Sequence, residues 1–405
     1  MPFQKFRDYY FAEKNYTLIY LHRMFFRSGN QLIAGFTGAY LFHLGFTITQ
    51  IMMFFACKFF VQGFAAIFCN DAIKKIGVPK GIFITLIFFC LSYFLMARID
   101  QSFSSAIPAL IAHAIASGMY FSFADVMEAM YISYDRHRGK QFLFGAVITS
   151  LVGTIGVAIT GYILAFSTYY YAALFSSLCV LLSAVPVFFL KSQTDTIHRN
   201  NTKRVFALMR SKPFRPFIFT FFGEQLYIMG RTVFIPLFVF LIVDQKFSTF
   251  GLLMVAASLV EIVATLIFGH YIDKSGNRVA IRKSFWISVL TSLSYIFIVT
   301  GPLSAFLNES LQRICNNSFM GAFRTGLHKR IRNKFELMTF GAAWQSVSCF
   351  SSTFSLIMLA SIVPLVGTHI FTVVFVTRVL GVHICSRFLH NNPHVKQQES
   401  KETNK

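Results

Sequence analysis

The chain has 405 residues, 55% of them hydrophobic and 13% charged, whereas ordinary soluble domains carry about a quarter charged residues. Fifty-one phenylalanines push the same way, so the composition excludes a soluble globular protein. A formal net charge of +21 is gathered into short polar segments between oily ones, which points to anionic membrane headgroups and away from nucleic acid.

The first fifteen residues, MPFQKFRDYYFAEKN, are too polar for a signal peptide, and no cleaved leader is expected. Beyond them, apolar segments follow at 20–42, 46–69, 81–98, 105–132, 141–166, 169–190, 215–241, 248–271, 284–302, 304–327, 337–361 and 366–386. About 20 residues of helix cross a hydrocarbon core of about 30 Å. Lipid offers the backbone no hydrogen-bond partners, so each segment is predicted as a membrane-spanning helix. The seven cysteines stand singly, with no CxxC pair or Cys/His cluster, so no disulfide framework, metal site or cofactor is expected.

The connections alternate between two chemistries. One set (43–45, 99–104, 167–168, 242–247, 303, 362–365) is short and nearly uncharged, while the other includes KKIGVPK (74–80), DRHRGKQ (135–141), DKSGNRVAIRK (273–283) and HKRIRNK (328–334). With both termini, 191–214 and the adjoining Arg215, the second set holds 28 of the 37 Lys and Arg; the first holds two, Arg98 and Lys246. Positive residues stay on the cytoplasmic side, so both termini are expected inside a plasma or inner membrane.

The polar stretch 191–214 divides six segments from six. Its expected role is a cytoplasmic linker between bundles at 1–190 and 215–388, with a polar tail at 389–405. The halves resemble each other: Gly77 of KKIGVPK aligns with Gly276 of DKSGNRV (276 − 77 = 199), and FGA at 144–146 recurs at 340–342 (341 − 145 = 196). The predicted fold is all-α, with twelve transmembrane helices in two pseudo-symmetric six-helix bundles, a recurring transporter plan.

Between the eighth and ninth segments lies 268-FGHYIDKSGNR-278. Here the chain resembles the major facilitator superfamily, whose loop signature appears as Gly269, Asp273, Lys274, Gly276 and Arg278. The resemblance implies that this loop latches the two halves in one alternating-access state. Physically, Gly276 suits a tight turn and Asp273 can face a helix N-terminus. The first half departs from the signature, with Asn70 and Lys74 at the Gly and Asp positions and Asp71 as a substitute one turn earlier. Gly145, Gly153, Gly156 and Gly161 partly match the glycine-rich fifth span of the family's proton antiporters, with Val157 at the proline position. Small residues there also simply permit close helix contact.

Twelve charged residues fall within the segments, and nine of them lie in the first, fourth, seventh and tenth. The resemblance implies that these four helices line the central cavity. The candidates are Arg23 and Arg27; His113, Asp125 and Glu128; Glu224 and Arg231; and Glu309, Arg313, Asn316, Asn317 and Arg324. A charge in hydrocarbon is costly, so each should face protein or water. Plainer roles stay open: Arg23 and Arg27 can snorkel to the interface, and His113 can be a hydrogen-bonded helix residue. Glu128 and Arg324 can form a structural pair, and Glu309 and Arg313 can neutralise each other at i, i+4. Lys58, Glu261 and Arg378 fall outside the four-helix set.

No GxxxxGK[ST] phosphate loop, nucleophile elbow or HExxH occurs, so neither ATP-driven transport nor enzyme activity is expected. The sequence reads as a monomeric secondary transporter moving a small polar solute, anionic or zwitterionic, with protons as the candidate coupling ion. The alternatives are a proton-coupled exporter of amphipathic cations and a non-transporting sensor or scaffold.

Overall fold

The computed structural model describes residues 14–131, 138–190, 202–212, 214–275, 277–314 and 334–391. In the first half, α1 (Lys14–Ala34) and α2 (Thr37–His43) make the first span. The next four are α3 (Ile48–Ile76), α4 (Val78–Met96), α5 (Phe103–Tyr131) and α6 (Arg138–Phe166); α7 (Tyr169–Leu182) with α8 (Ala184–Phe188) makes the sixth. A linker helix, α9 (Thr202–Arg210), leads to α10 (Arg215–Met229), a π-turn (Gly230–Phe234) and α11 (Ile235–Ile242), which together form the seventh span. The remainder are α12 (Phe247–Ser275), α13 (Asn277–Phe297), α14 (302–314), α15 (Lys334–Val366) and α16 (Ile370–Asn391). Eight of these rods are long and apolar enough to cross a membrane, with shorter apolar stretches at Trp286–Phe297 and Ile370–Cys385; no strand occurs among the described residues.

Several boundaries differ from those expected. The first span is broken after Ala34, where the Gly35 and Phe36 amides fall back on Gln31 and Ile33. The basic connection at 74–80 is hardly a loop: α3 runs through Lys74 and Lys75 to Ile76, and α4 begins at Val78. Gly77 alone makes the turn, at φ 76° and ψ 168°, a conformation essentially confined to glycine. In the second half, α12 continues through Asp273 and Lys274 to Ser275, and α13 starts at Asn277. The expected gating loop is thus two helix ends around Gly276, which itself lies outside the described residues. Lysines in the last turn of α3 favour its continuation, since cations suit a helix C-terminus.

The linker is not wholly irregular. Thr202, which opens α9, donates its backbone N–H to Asp71 Oδ1 (3.4 Å) and its hydroxyl to the Ile67 carbonyl (3.2 Å). Asp71 therefore sits at a helix N-terminus, the placement anticipated for the second-half Asp273. Val205, Leu208 and Met209 carry α9 onto an apolar cluster that includes Phe214, Phe221 and Ala343.

Two helix pairs make the most extensive contacts between the halves: α3 with α15, and α6 with α12. They are the second span with the eleventh and the fifth with the eighth, so exchanging the halves maps one pair onto the other. Small residues make both seams, because helix association in lipid depends on close van der Waals contact. A Cβ on Gly161 of α6 would stand 2.9 Å from Gly251 Cα of α12, and one on Gly63 of α3 would meet the Phe350 ring of α15 at 3.0 Å. Gly156 admits α1, where a Cβ would lie 3.0 Å from the Ser28 carbonyl. Gly156 and Gly161 thus act as contact points, the plainer of the two roles open to them.

At the end carrying the short uncharged connections, aromatic side chains bridge the halves. Phe36, just before α2, meets the Phe250 ring edge-on at 5.2 Å, and both belong to a buried cluster with Phe240, Phe247 and Phe375. This end of the molecule is closed by ring contacts.

Candidate functional site

The largest concentration of buried charge lies in the second half. Glu309 and Arg313 are one turn apart on α14, and Arg313 Nε donates to Glu309 Oε1 at 2.6 Å. One turn of helix places i and i+4 on the same face, so this contact follows from spacing alone. The rest of the guanidinium reaches α12: Nη1 donates to Ser258 Oγ (2.5 Å) and Glu261 Oε2 (3.3 Å), and Nη2 approaches Met254 Sδ at 3.1 Å. The second Glu309 oxygen accepts from Tyr295 Oη of α13 at 2.9 Å. One arginine therefore ties together two carboxylates from two helices, and a tyrosine holds one of them from a third.

Arg378 of α16 completes the charge balance and is 0% exposed. Its guanidinium lies 4.9 Å over the Tyr227 ring. With its amide oxygen turned toward Arg378, Gln312 of α14 accepts from both terminal nitrogens, while Arg378 Nε has no partner among the described residues. The local chain makes room for this side chain. Pro236 lacks the N–H that an α-helix needs at that point, and the preceding turn widens to a π-turn starting at Gly230. The Arg378 stem fills the space a Cβ on Gly230 would occupy. Glu261, Glu309, Arg313 and Arg378 make two negative and two positive charges within one bundle.

Other expected site residues are placed separately. Glu224 of α10 is 1% exposed and accepts from Trp344 Nε1 of α15 at 3.2 Å. Beside it, Gln225 accepts from Ser352 (2.9 Å). Asp125 of α5 faces α15, where a Cβ on Gly341 would lie 3.2 Å from its Oδ2. His113 is apart from these groups, buried between α4 and α5 with Ser92 Oγ at 3.3 Å from Nδ1 and the Phe89 ring edge-on. Arg23 is half-buried and Arg27 exposed on α1. The side chains of Glu128, Arg231, Asp273, Lys274 and Arg278, and residues Asn316, Asn317 and Arg324 entirely, lie outside the described residues, as does the side-chain surrounding of Gly269.

Two residues outside the four-helix pattern, Glu261 and Arg378, thus belong to the charged interior. Tyr295, Ser258 and Gln312 join them without any charge signal in the sequence. A further polar pin, His22, is buried with Nδ1 2.7 Å from the Ser183 carbonyl and Nε2 2.9 Å from Tyr120 Oη. Among the described residues, no group of His, Cys, Asp and Glu is arranged to hold a metal ion.

A family model described as Major Facilitator Superfamily matches residues 19–323. No curated protein sequence is a detectable relative of the chain. Among solved structures, the human organic anion transporter MFSD10 (TETRAN) is similar, with a TM-score of 0.63 at 13% identity over 92% of this chain and 99% of that one. The nucleoside transporter NupG is similar with a TM-score of 0.66 at 13% identity, over 93% and 99%. At such identities the likeness is one of fold.

Proposed function

The chain belongs to the Major Facilitator Superfamily, and from that membership we propose that it moves a small polar solute, anionic or zwitterionic, by alternating access coupled to protons. The observation that carries this reading is the Arg313 bridge. A guanidinium held by two carboxylates is saturated, but protonating either Glu309 or Glu261 frees part of its donor fork. A carboxylate or phosphate on the solute fits that fork with two hydrogen bonds. Proton loading and anion binding then become the same event, which is the elementary requirement of symport. Buried carboxylates suit this role because desolvation favours their neutral form. In this conformation Glu309 and Glu261 hold the Arg313 guanidinium, and a proton on either carboxylate would turn it toward solute.

The test uses protein in liposomes with an imposed pH gradient and a panel of carboxylates, zwitterions, nucleosides and lipophilic cations. Wild-type protein is expected to accumulate an anionic or zwitterionic member on the acid-driven side. Glu309→Gln should still exchange that solute but no longer accumulate it. Unimpaired accumulation by Glu309→Gln and by Glu261→Gln would remove the proton role, and uptake confined to lipophilic cations would establish the exporter alternative instead.

Orientation follows from charge. Both termini and 191–214 are proposed to be cytoplasmic in a cell membrane, their cations against anionic headgroups, with the chain acting as a monomer. A cysteine introduced at Ser192 should resist an impermeant thiol reagent applied to intact cells and react once the membrane is opened. Labelling from outside would reverse the assignment.

A further inference from the structure

Lys58 is a lysine near the middle of α3. At about 1.5 Å per residue it sits about 15 Å from one helix end and about 27 Å from the other, too deep for its stem to reach either interface. The lipid-facing stripe of α3 is marked by exposed Cys57, Phe60, Phe64 and Phe68, and Lys58 is only partly exposed, to one side of that stripe. Its Nζ lies over the two rings that follow the inner side of the helix, 5.7 Å from the Phe55 centroid and 5.3 Å from that of Phe59. Phe55 is buried.

A cation at this depth requires a compensating partner. The aromatic faces supply part of it, since cation–π contact is attractive yet worth less than an ion pair. The titratable groups within electrostatic reach are Cys349 on α15 and His113 on α5. A thiol and an imidazole bring no negative charge to a neutral site. No carboxylate among the described residues pairs with Lys58, whereas Arg313 has two. Lys58 is thus a cation whose contacts among the described residues are aromatic rings, and it sits beside the α3–α15 seam that joins the halves.

We infer that Lys58 is the anchor for the anionic group of the solute, with Phe55 and Phe59 forming an aromatic wall for the body of the molecule. The ligand class is an organic anion, a carboxylate or phosphate attached to an apolar or aromatic frame. This rests on the transport reading above and adds a first step to it: Lys58 receives the solute's anionic group from the first half, and the Arg313 fork, once a proton frees it, grips the same group from the second half. An anion on Lys58 neutralises the seam, so occupancy by solute lowers the cost of moving one half against the other.

The test takes purified full-length protein and three probes that share a phenyl ring: benzoate, phenyl phosphate and benzylamine. Thermal unfolding should be shifted upward by benzoate or phenyl phosphate and not by benzylamine. Lys58→Gln should weaken the anion's apparent affinity about tenfold or more, and Lys58→Arg should retain most of it. Lys58→Met, measured alongside, covers the case in which the Gln variant does not fold. An equal anion shift in Lys58→Gln or Lys58→Met, or no preference for the anions over benzylamine in wild type, overturns the inference. Flux of the same probes in liposomes separates it from its premise. Lys58-dependent binding without flux under any gradient keeps the site and removes transport; flux that Lys58→Gln leaves unchanged keeps transport and removes the site.

Discussion

Arg313→Gln is expected to destabilise the protein by about 3–5 kcal/mol, because it leaves two buried carboxylates without the cation that joins them. Heat or denaturant unfolding in detergent would read this as lower melting temperature and lower yield of folded protein. The size of the loss alone does not separate a coupling centre from a structural pair; the pattern of recovery does. Arg313→Gln with Glu261→Gln removes one charge of each sign and leaves Glu309 with its Tyr295 hydrogen bond. Arg313→Gln with Glu309→Gln instead strips Tyr295 of its carboxylate acceptor. Stability should therefore return more fully in the first double variant than in the second, and more fully in both than in Arg313→Gln. Simple additivity of the single losses would mean that the three side chains do not form one network. Recovery of folding with full recovery of proton-driven accumulation would make the cluster structural and end its coupling role.

Much of the architecture was legible in the sequence because lipid enforces it. Long apolar runs and short connections specify helices with little help from tertiary contacts. Internal similarity between Gly77 and Gly276 carried the division into two halves, and Gly77 proved to be the whole of its connection. What stayed hidden has physical causes. The break after Ala34 has no proline to announce it. The π-turn at Gly230 depends on Pro236 and on Arg378 arriving from a helix about 150 residues later, a pairing no local pattern records.

The charged interior was half legible. Counting charges by helix singled out Glu224, Glu309 and Arg313 as members, and the i, i+4 spacing of the last two anticipated their ion pair. The same count set Glu261, Arg378 and Lys58 aside because their helices do not follow the every-third rule. A buried charge recruits partners by distance, from whichever helix is adjacent: Arg313 reaches Glu261 on α12, and Gln312 turns to Arg378 on α16. Tyr295 and Ser258 were invisible for another reason, since a hydroxyl among apolar residues gives no periodic signal until its acceptor is known.

Gly230→Val carries the second large expected effect. The wall of the π-turn admits the Arg378 stem only because residue 230 has no side chain; a Cβ there would stand 2.6 Å from Arg378 Cγ and 2.7 Å from its Nε. Arg378 is wholly buried, with Tyr227 beneath its guanidinium, so it has no open space into which to retreat. Two turns before Gly230 and one turn after Arg378, Gly223 and Gly381 hold α10 and α16 at backbone contact, which fixes the distance the substitution would have to increase. Overpacking of this kind costs about 1–3 kcal/mol, and displacing a hydrogen-bonded buried cation adds to it. Gly230→Val should therefore unfold at clearly lower temperature than wild type, while Gly230→Ala falls between the two. Arg378→Met offers the decisive comparison. No carboxylate among the described residues is ion-paired with Arg378 and its Nε has no partner, so a methionine of similar length removes a costly buried charge without stranding an ion-pair partner and should change stability little. The methionine is flexible enough to yield to a branched neighbour, so Gly230→Val with Arg378→Met should recover most of the loss seen in Gly230→Val. If the double variant is as unstable as the sum of the singles, the clash is with the helix backbone and not with Arg378. If Arg378→Met alone is as damaging as Arg313→Gln, Arg378 is a full member of the ion network, and its charge interaction with Glu309 outweighs its packing against Tyr227.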